Sequence, residues 1–136
     1  MNDIINTIDE FEAVRAQQSS RTFEVNIPDE LGMKIVESYP EHREAIASNK
    51  TISESIIRLL AVDEDPRVRG RIADKRATPA DVQIALAQDP SHSVRAAIGR
   101  NPKVPREALE ILLQDPVDWI AEEAQEQIAE LDSAGK

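Results

Sequence analysis

A set of residues recurs at a fixed interval in the second half of this chain, and that recurrence limits the possible folds more than any other feature. Leu60, Leu86 and Leu112 stand 26 residues apart, and the same interval separates Asp63, Asp89 and Asp115, then Val68, Val94 and Ile120, and then Pro79 and Pro105. Agreement of so many columns without an insertion marks a stack of two-element units. Arg69 and Arg95 form a further column, and at the next interval Ala121 stands in their place.

Each unit predicts a pair of short helices. The first members run from Ser53 to Val62, Ala80 to Gln88 and Arg106 to Gln114, with Pro79 and Pro105 at or just before helix starts, where a missing N–H does no harm. The second members follow the acidic turns Asp63-Glu64-Asp65-Pro66, Asp89-Pro90 and Asp115-Pro116, and run from about Val68 to Asp74, Val94 to Arg100 and Trp119 to Leu131. Helices of this length are marginal alone. Their apolar columns are Ile56/Val82/Ala108, Leu60/Leu86/Leu112, Val68/Val94/Ile120 and Ile72/Ile98/Ala124, so each unit buries its face only against its neighbours. The expected fold is all-α: a short α-solenoid of about three helix pairs over residues 51–136, with an acidic C-terminal cap, preceded by an N-terminal region over residues 1–50.

In that N-terminal region Ile4, Ile5, Ile8, Phe11 and Val14 recur at helical steps, which predicts a helix from Asp3 to about Gln17 with Asp3 as its cap. From Arg21 to Ile27 the period changes to alternation, a strand signal. Pro28-Asp29-Glu30 opens a helix whose buried side carries Leu31, Ile35 and Tyr39; Pro40 ends or kinks it, and a short helix follows from Glu41 to Ala47. A lone strand leaves both edges to satisfy. Either Arg21 to Ile27 is an arm lying across the helices, or it pairs with another chain, and the second option predicts a homodimer or a strand-adding partner.

The chain has 136 residues and a formal net charge of −10, with 16 basic against 26 acidic side chains, so its average surface repels phosphate and favours a basic partner. There is no cysteine, which excludes disulfides, thiol catalysis and thiolate-bound metals, and His42 and His92 lie far apart, so no metal site and no cofactor are expected. Met1 to Ile5 lacks a basic region followed by an apolar run, and no stretch has spanning length; the expected location is the cytoplasm, away from membranes.

The wording Asp89-Pro90-Ser91-His92-Ser93-Val94-Arg95-Ala96-Ala97-Ile98-Gly99-Arg100-Asn101-Pro102, with Leu109 and Leu112-Leu113-Gln114-Asp115-Pro116, resembles the leucine-rich repeat variant, a relative in style of HEAT repeats, over roughly Ile52 to Leu131. The resemblance implies alternating short helices stacked in a right-handed curved array that serves as a scaffold or interaction surface and not as an enzyme. The period here is slightly longer than that family's, closer to a HEAT-like hairpin, and the iron–sulfur cluster beside some variant repeats has no cysteine to hold it.

Within the array, Asp63 and Asp89 are placed to accept backbone N–H groups before a helix, and Arg69 and Arg95 to reach a neighbouring unit's aspartate, an inter-repeat ladder. No nucleophile is placed to turn Asp89 and His92 into catalysis. Functional information concentrates where the pattern fails. Trp119 occupies the column of Arg67 and Ser93, and from Arg106 to Lys136 the charge is strongly acidic, so the partner-binding candidates are Trp119, Asp118, Glu122, Glu123, Glu126 and His92. Arg67, Arg71 and Arg76 lie in the one dense basic segment and are candidates for contact with phosphate or an acidic partner.

The expected function is a protein–protein interaction module, an adaptor or a neutralising, immunity-type bacterial protein for a basic partner. The alternative is a dimeric DNA-binding regulator. The order strand, helix, helix with Thr51 to Arg58 is similar to a ribbon-helix-helix unit, although its strand would offer Thr22, Glu24 and Asn26 to the bases and its insertion is too long.

Overall fold

Helix is the dominant element of the computed structural model, which describes residues 4–16 and 24–135. Asp3 and the start of the predicted strand, Arg21 to Phe23, lie outside the described residues. In order the elements are α1 (Ile8–Ala16), α2 (Asp29–Ser38), a 3-10 turn (Pro40–His42), α3 (Arg43–Ser48), α4 (Glu54–Leu60), α5 (Pro66–Ala73), α6 (Ala80–Leu86), α7 (His92–Arg100), α8 (Arg106–Leu112) and α9 (Asp118–Ala134). Among the described residues there is no strand, only an isolated parallel bridge between Ile4 and Asn26. None of the described helices is long and apolar enough to cross a membrane.

Local chemistry explains the boundaries. Ser53 Oγ accepts from Ile56 N at 3.3 Å and starts α4, and Asp65 Oδ1 accepts from Arg67 N at 2.9 Å and starts α5. Pro79 and Pro105 each stand one residue before a helix. Helix α1 begins five residues later than its apolar periodicity predicts, at Ile8 instead of Asp3. The reason is a side-chain cap: Thr7 Oγ1 accepts from Glu10 N at 3.1 Å and donates to Glu10 Oε1 at 3.2 Å, while Ile5 N is already extended and bonded to Asn26 O.

The members of the helix pairs form neighbouring contacts: α3 packs on α5, α5 on α7 and α7 on α9, while α6 packs on α8. Every residue of the four predicted apolar columns is buried. The same 26-residue register extends one interval further toward the N-terminus than the columns read from sequence. Leu31 precedes Ile57, Gln83 and Leu109; Ile46 precedes Ile72, Ile98 and Ala124; and His42 precedes Val68, Val94 and Ile120, all of them buried. His42 fits its core position because α1 covers it. Phe11 meets its ring edge-on at 5.3 Å, and Tyr39 stacks on it at 6.1 Å. Beside it, α2 approaches α4 so closely that a Cβ at Gly32 would lie 2.7 Å from Ile56 Cδ1.

Charged joints tie the units together. Arg69 donates to both carboxylate oxygens of Asp89 (2.7 and 3.0 Å) and to Asp63 O at 2.8 Å; Asp89 Oδ1 in turn accepts from Ser91 N at 2.9 Å. Arg95 repeats the arrangement with Asp115 (2.7 and 3.3 Å), with Asp89 O, and with Val117 N donating to Asp115 Oδ1. One register earlier, Arg43 Nη1 reaches Asp63 Oδ2 at 3.3 Å while its Nε is spent on Val36 O. The aspartates accept from the N–H two residues on, just ahead of the helix, so they shape the turn; Asp65 is the cap of α5 itself.

In the described part of the predicted strand Glu24 is helical, contrary to the alternation, and Val25 to Ile27 form an arm held by its own chain. Val25 and Ile27 are buried, Asn49 Nδ2 donates to Val25 O at 2.9 Å, and Ile27 N donates to Thr51 Oγ1 at 3.0 Å.

The Arg95–Asp115 joint yields a stability prediction, because the Asp115 side chain is only 2% exposed. Burial pushes its carboxyl up, but the Arg95 guanidinium and the Val117 N–H outweigh burial and hold it below the ordinary carboxylate range. A depressed value stabilises the fold above the unfolded pKa of about 3.9 and the contribution is lost as pH falls through the folded value. Arg95→Leu leaves that carboxylate buried and unpaired, and urea denaturation at pH 7 is expected to show a loss of about 3 kcal/mol. Adding Asp115→Leu to it should restore most of the loss, apart from the Val117 N–H left without an acceptor.

Candidate partner-binding surface

Helix α9 is built differently from its predecessors. Its buried side carries Ile120 and Ala124, four residues apart, and at 17 residues it is the longest of the described helices. Ala121 stands in the arginine column, and the outer side of the helix is exposed.

On that side Asp118, Glu122, Glu126 and Glu130 follow one another at four-residue steps and are exposed. Among the described residues none of these four makes an ion pair. Like charges at this spacing repel by a few tenths of a kcal/mol per pair. The next stripe carries Trp119 and Glu123. Trp119 is 41% exposed, the Arg100 guanidinium carbon lies 5.4 Å from its ring centre, and Arg100 also donates to both oxygens of Glu123 at 3.3 and 3.1 Å. Arg106 Nη1 donates to Asp132 Oδ1 at 2.7 Å and pins the distal half of α9 to α8. The structure thus gathers Trp119, Asp118, Glu122, Glu123 and Glu126 on one helix, whereas His92 stands exposed at the start of α7, one register before Asp118, with no side-chain hydrogen bond among the described residues.

The basic candidates separate. Arg67 pairs with its own helix cap Asp65 at 2.9 Å, and Arg71 pairs with Glu44 at 3.0 Å. Both border an open groove of about 400 Å³ floored by Gly70, Ser93 and Ala97. Arg76 makes no ion pair among the described residues and lines a second cleft, that of Lys75, which Arg71 borders as well but Arg67 does not.

Lys75 is the functional-looking residue that its type alone does not reveal. It stands 26 residues after Asn49 and 26 before Asn101, in a column of joints between units. Asn101 Nδ2 donates to Ala73 O and Lys75 O at 2.7 and 2.8 Å, and Lys75 Nζ donates to Asn49 O at 2.6 Å, so the ammonium does an amide's work. Burial, and then the like charge of Lys50, lowers its pKa to about 8. The continued 26-residue spacing is the signal that would have found this column and the Arg43–Asp63 joint. Among the described residues no group of histidine and carboxylate side chains is placed to hold a metal.

Comparison of the chain with protein-family models, with curated proteins and with solved structures found no match. The chemistry of the surface alone therefore carries the functional reading.

Because the folded Lys75 releases its proton more readily than the unfolded chain, whose lysines titrate near about 10.4, the unfolded state binds more protons between those two values, and stability rises with pH across that window. Lys75→Asn, which restores a neutral donor, should raise the urea midpoint at pH 7, and its advantage should shrink as pH increases from about 8 to about 10.

Proposed function

We propose that this chain is a non-enzymatic protein–protein interaction module: a short right-handed array of HEAT-like helix pairs, similar to the leucine-rich repeat variant, that receives a basic protein on its acidic C-terminal helix. The observation that carries the reading is the unneutralised stripe Asp118, Glu122, Glu126 and Glu130 beside a half-exposed tryptophan. Such a stripe weakens the helix that bears it, and a cationic partner would relieve the repulsion while Trp119 fills an apolar recess. Complementary charge also speeds encounter. The 26-residue register with buried columns and repeated Arg–Asp joints supports the array. A neutralising or adaptor role in the bacterial cytoplasm fits the charge. The regulator reading receives no support from the arm, whose described backbone groups Val25 O, Asn26 O and Ile27 N are engaged within the chain.

The test pairs two readouts that must move in opposite directions. Glu122→Lys with Glu126→Lys makes the 118/122 and 126/130 steps attractive while 122/126 stays like-charged, and should raise stability by about 0.5 kcal/mol in thermal denaturation. In pull-downs from the native cell followed by mass spectrometry, the same variant combined with Trp119→Ala should lose a basic partner that the unmodified chain captures. Capture that survives all three substitutions would reduce the stripe to a solvated cap. A dimeric mass in solution together with salt-dependent duplex binding would favour the regulator instead.

A further inference from the structure

The cleft beside Lys75 has a volume of about 680 Å³, within the range of small-ligand sites, and is lined by Lys50, Arg71, Lys75 and Arg76 against Glu24 and Asp74. Four cations against two carboxylates is a local surplus of positive charge on a chain whose formal net charge is −10.

Glu44 at the rim offsets part of that surplus, and the rest is not neutralised. Lys50 and Glu24 are 3.7 Å apart with side chains 72% and 66% exposed, a pairing of small worth in water. Arg71 is held by Glu44 at the rim. Lys75 is bonded to a carbonyl and not to a carboxylate, and the charge that acts on it, Lys50, has its own sign. Burial pushes the Asp74 carboxyl up, while Arg71 and Arg100 act on it in the opposite direction. Arg76 has no partner among the described residues.

We propose that this cleft binds a small phosphate dianion, with Arg76 and Lys50 donating to its oxygens and Lys75 supplying a third donor from the cleft wall. A guanidinium and two ammonium groups around one pocket suit the three terminal oxygens of a phosphoryl group. The same charge map selects against long polyanions. A nucleic-acid strand or an anionic membrane would meet the acidic remainder of the surface beyond a Debye length of about 8 Å, while a small dianion stays within the cationic patch. The site lies apart from the α9 surface.

The test uses the full chain labelled with nitrogen-15 and titrated, at low salt, with inorganic phosphate, with glycerol 3-phosphate and with a single-stranded oligonucleotide. Saturable shifts at the amides of Lys50, Lys75 and Arg76 are expected with the two small probes. Tighter binding of glycerol 3-phosphate assigns an organic ester as the ligand, equal binding assigns free phosphate, and both support the dianion site. Arg76→Ala should weaken binding about tenfold, while Arg67→Ala, a cation outside the cleft, should leave it unchanged. No saturable shift up to about 10 mM, an equal loss in Arg67→Ala, or stronger binding of the oligonucleotide than of either small probe would overturn the proposal.

Discussion

The buried guanidinium–carboxylate joint is the constraint on which the rest of the structure depends. A charge pair of this kind is tolerated in an interior only when the donors and lone pairs facing it are used. Arg69 and Arg95 meet that condition by spanning three turns, binding the carbonyl six residues behind and the carboxylate twenty residues ahead. The two distances together fix the interval of 26, because any residue inserted in a turn would pull a buried charge off its partner. The gapless period is therefore an electrostatic requirement as much as a packing one. The joints weaken at the N-terminal end, where Arg43 divides its donors between Val36 O and Asp63, and stop at Ala121.

Charge not used in joints is left for the surface, and it divides by sign. The acidic remainder lies along α9, past the last joint. The cationic remainder collects around Lys75, where a lysine stands in an asparagine's column and brings an ammonium into a site designed around neutral donors. Both candidate surfaces follow from departures from the repeat. A position that breaks a column without losing burial or exposure has been released from the joint's requirements.

Much of the fold was legible because its determinants are periodic. The four apolar columns, the second-member helices and the reach from arginine to the next aspartate could be read from spacing alone, since residues 26 apart share burial and joint partners. Helix α1 was misjudged at its start because the apolar residues Ile4 and Ile5 continue a helical stripe that the Thr7 cap interrupts. The earliest copy of the register was invisible for a different reason. Its core position is His42 and its acidic position is Glu37, so neither residue type advertises the column. The acidic surface was legible by composition, but the isolation of Asp118, Glu122 and Glu126 from any cation required knowing where Arg100 and Arg106 point.

What the sequence determined by itself is the all-helical character, the interval and the identity of the joints, because these depend on which residues recur and how far apart they stand. What only the tertiary structure decided is which charges remain uncompensated. Ion pairing depends on distances between side chains that lie 20 or more residues apart, as with Arg71 and Glu44, or Arg100 and Glu123. A residue's burial likewise depends on what another segment lays over it, as α1 does over His42. Those two facts, pairing and burial, turn a list of charged residues into an exposed acidic stripe and a cleft lined by cations.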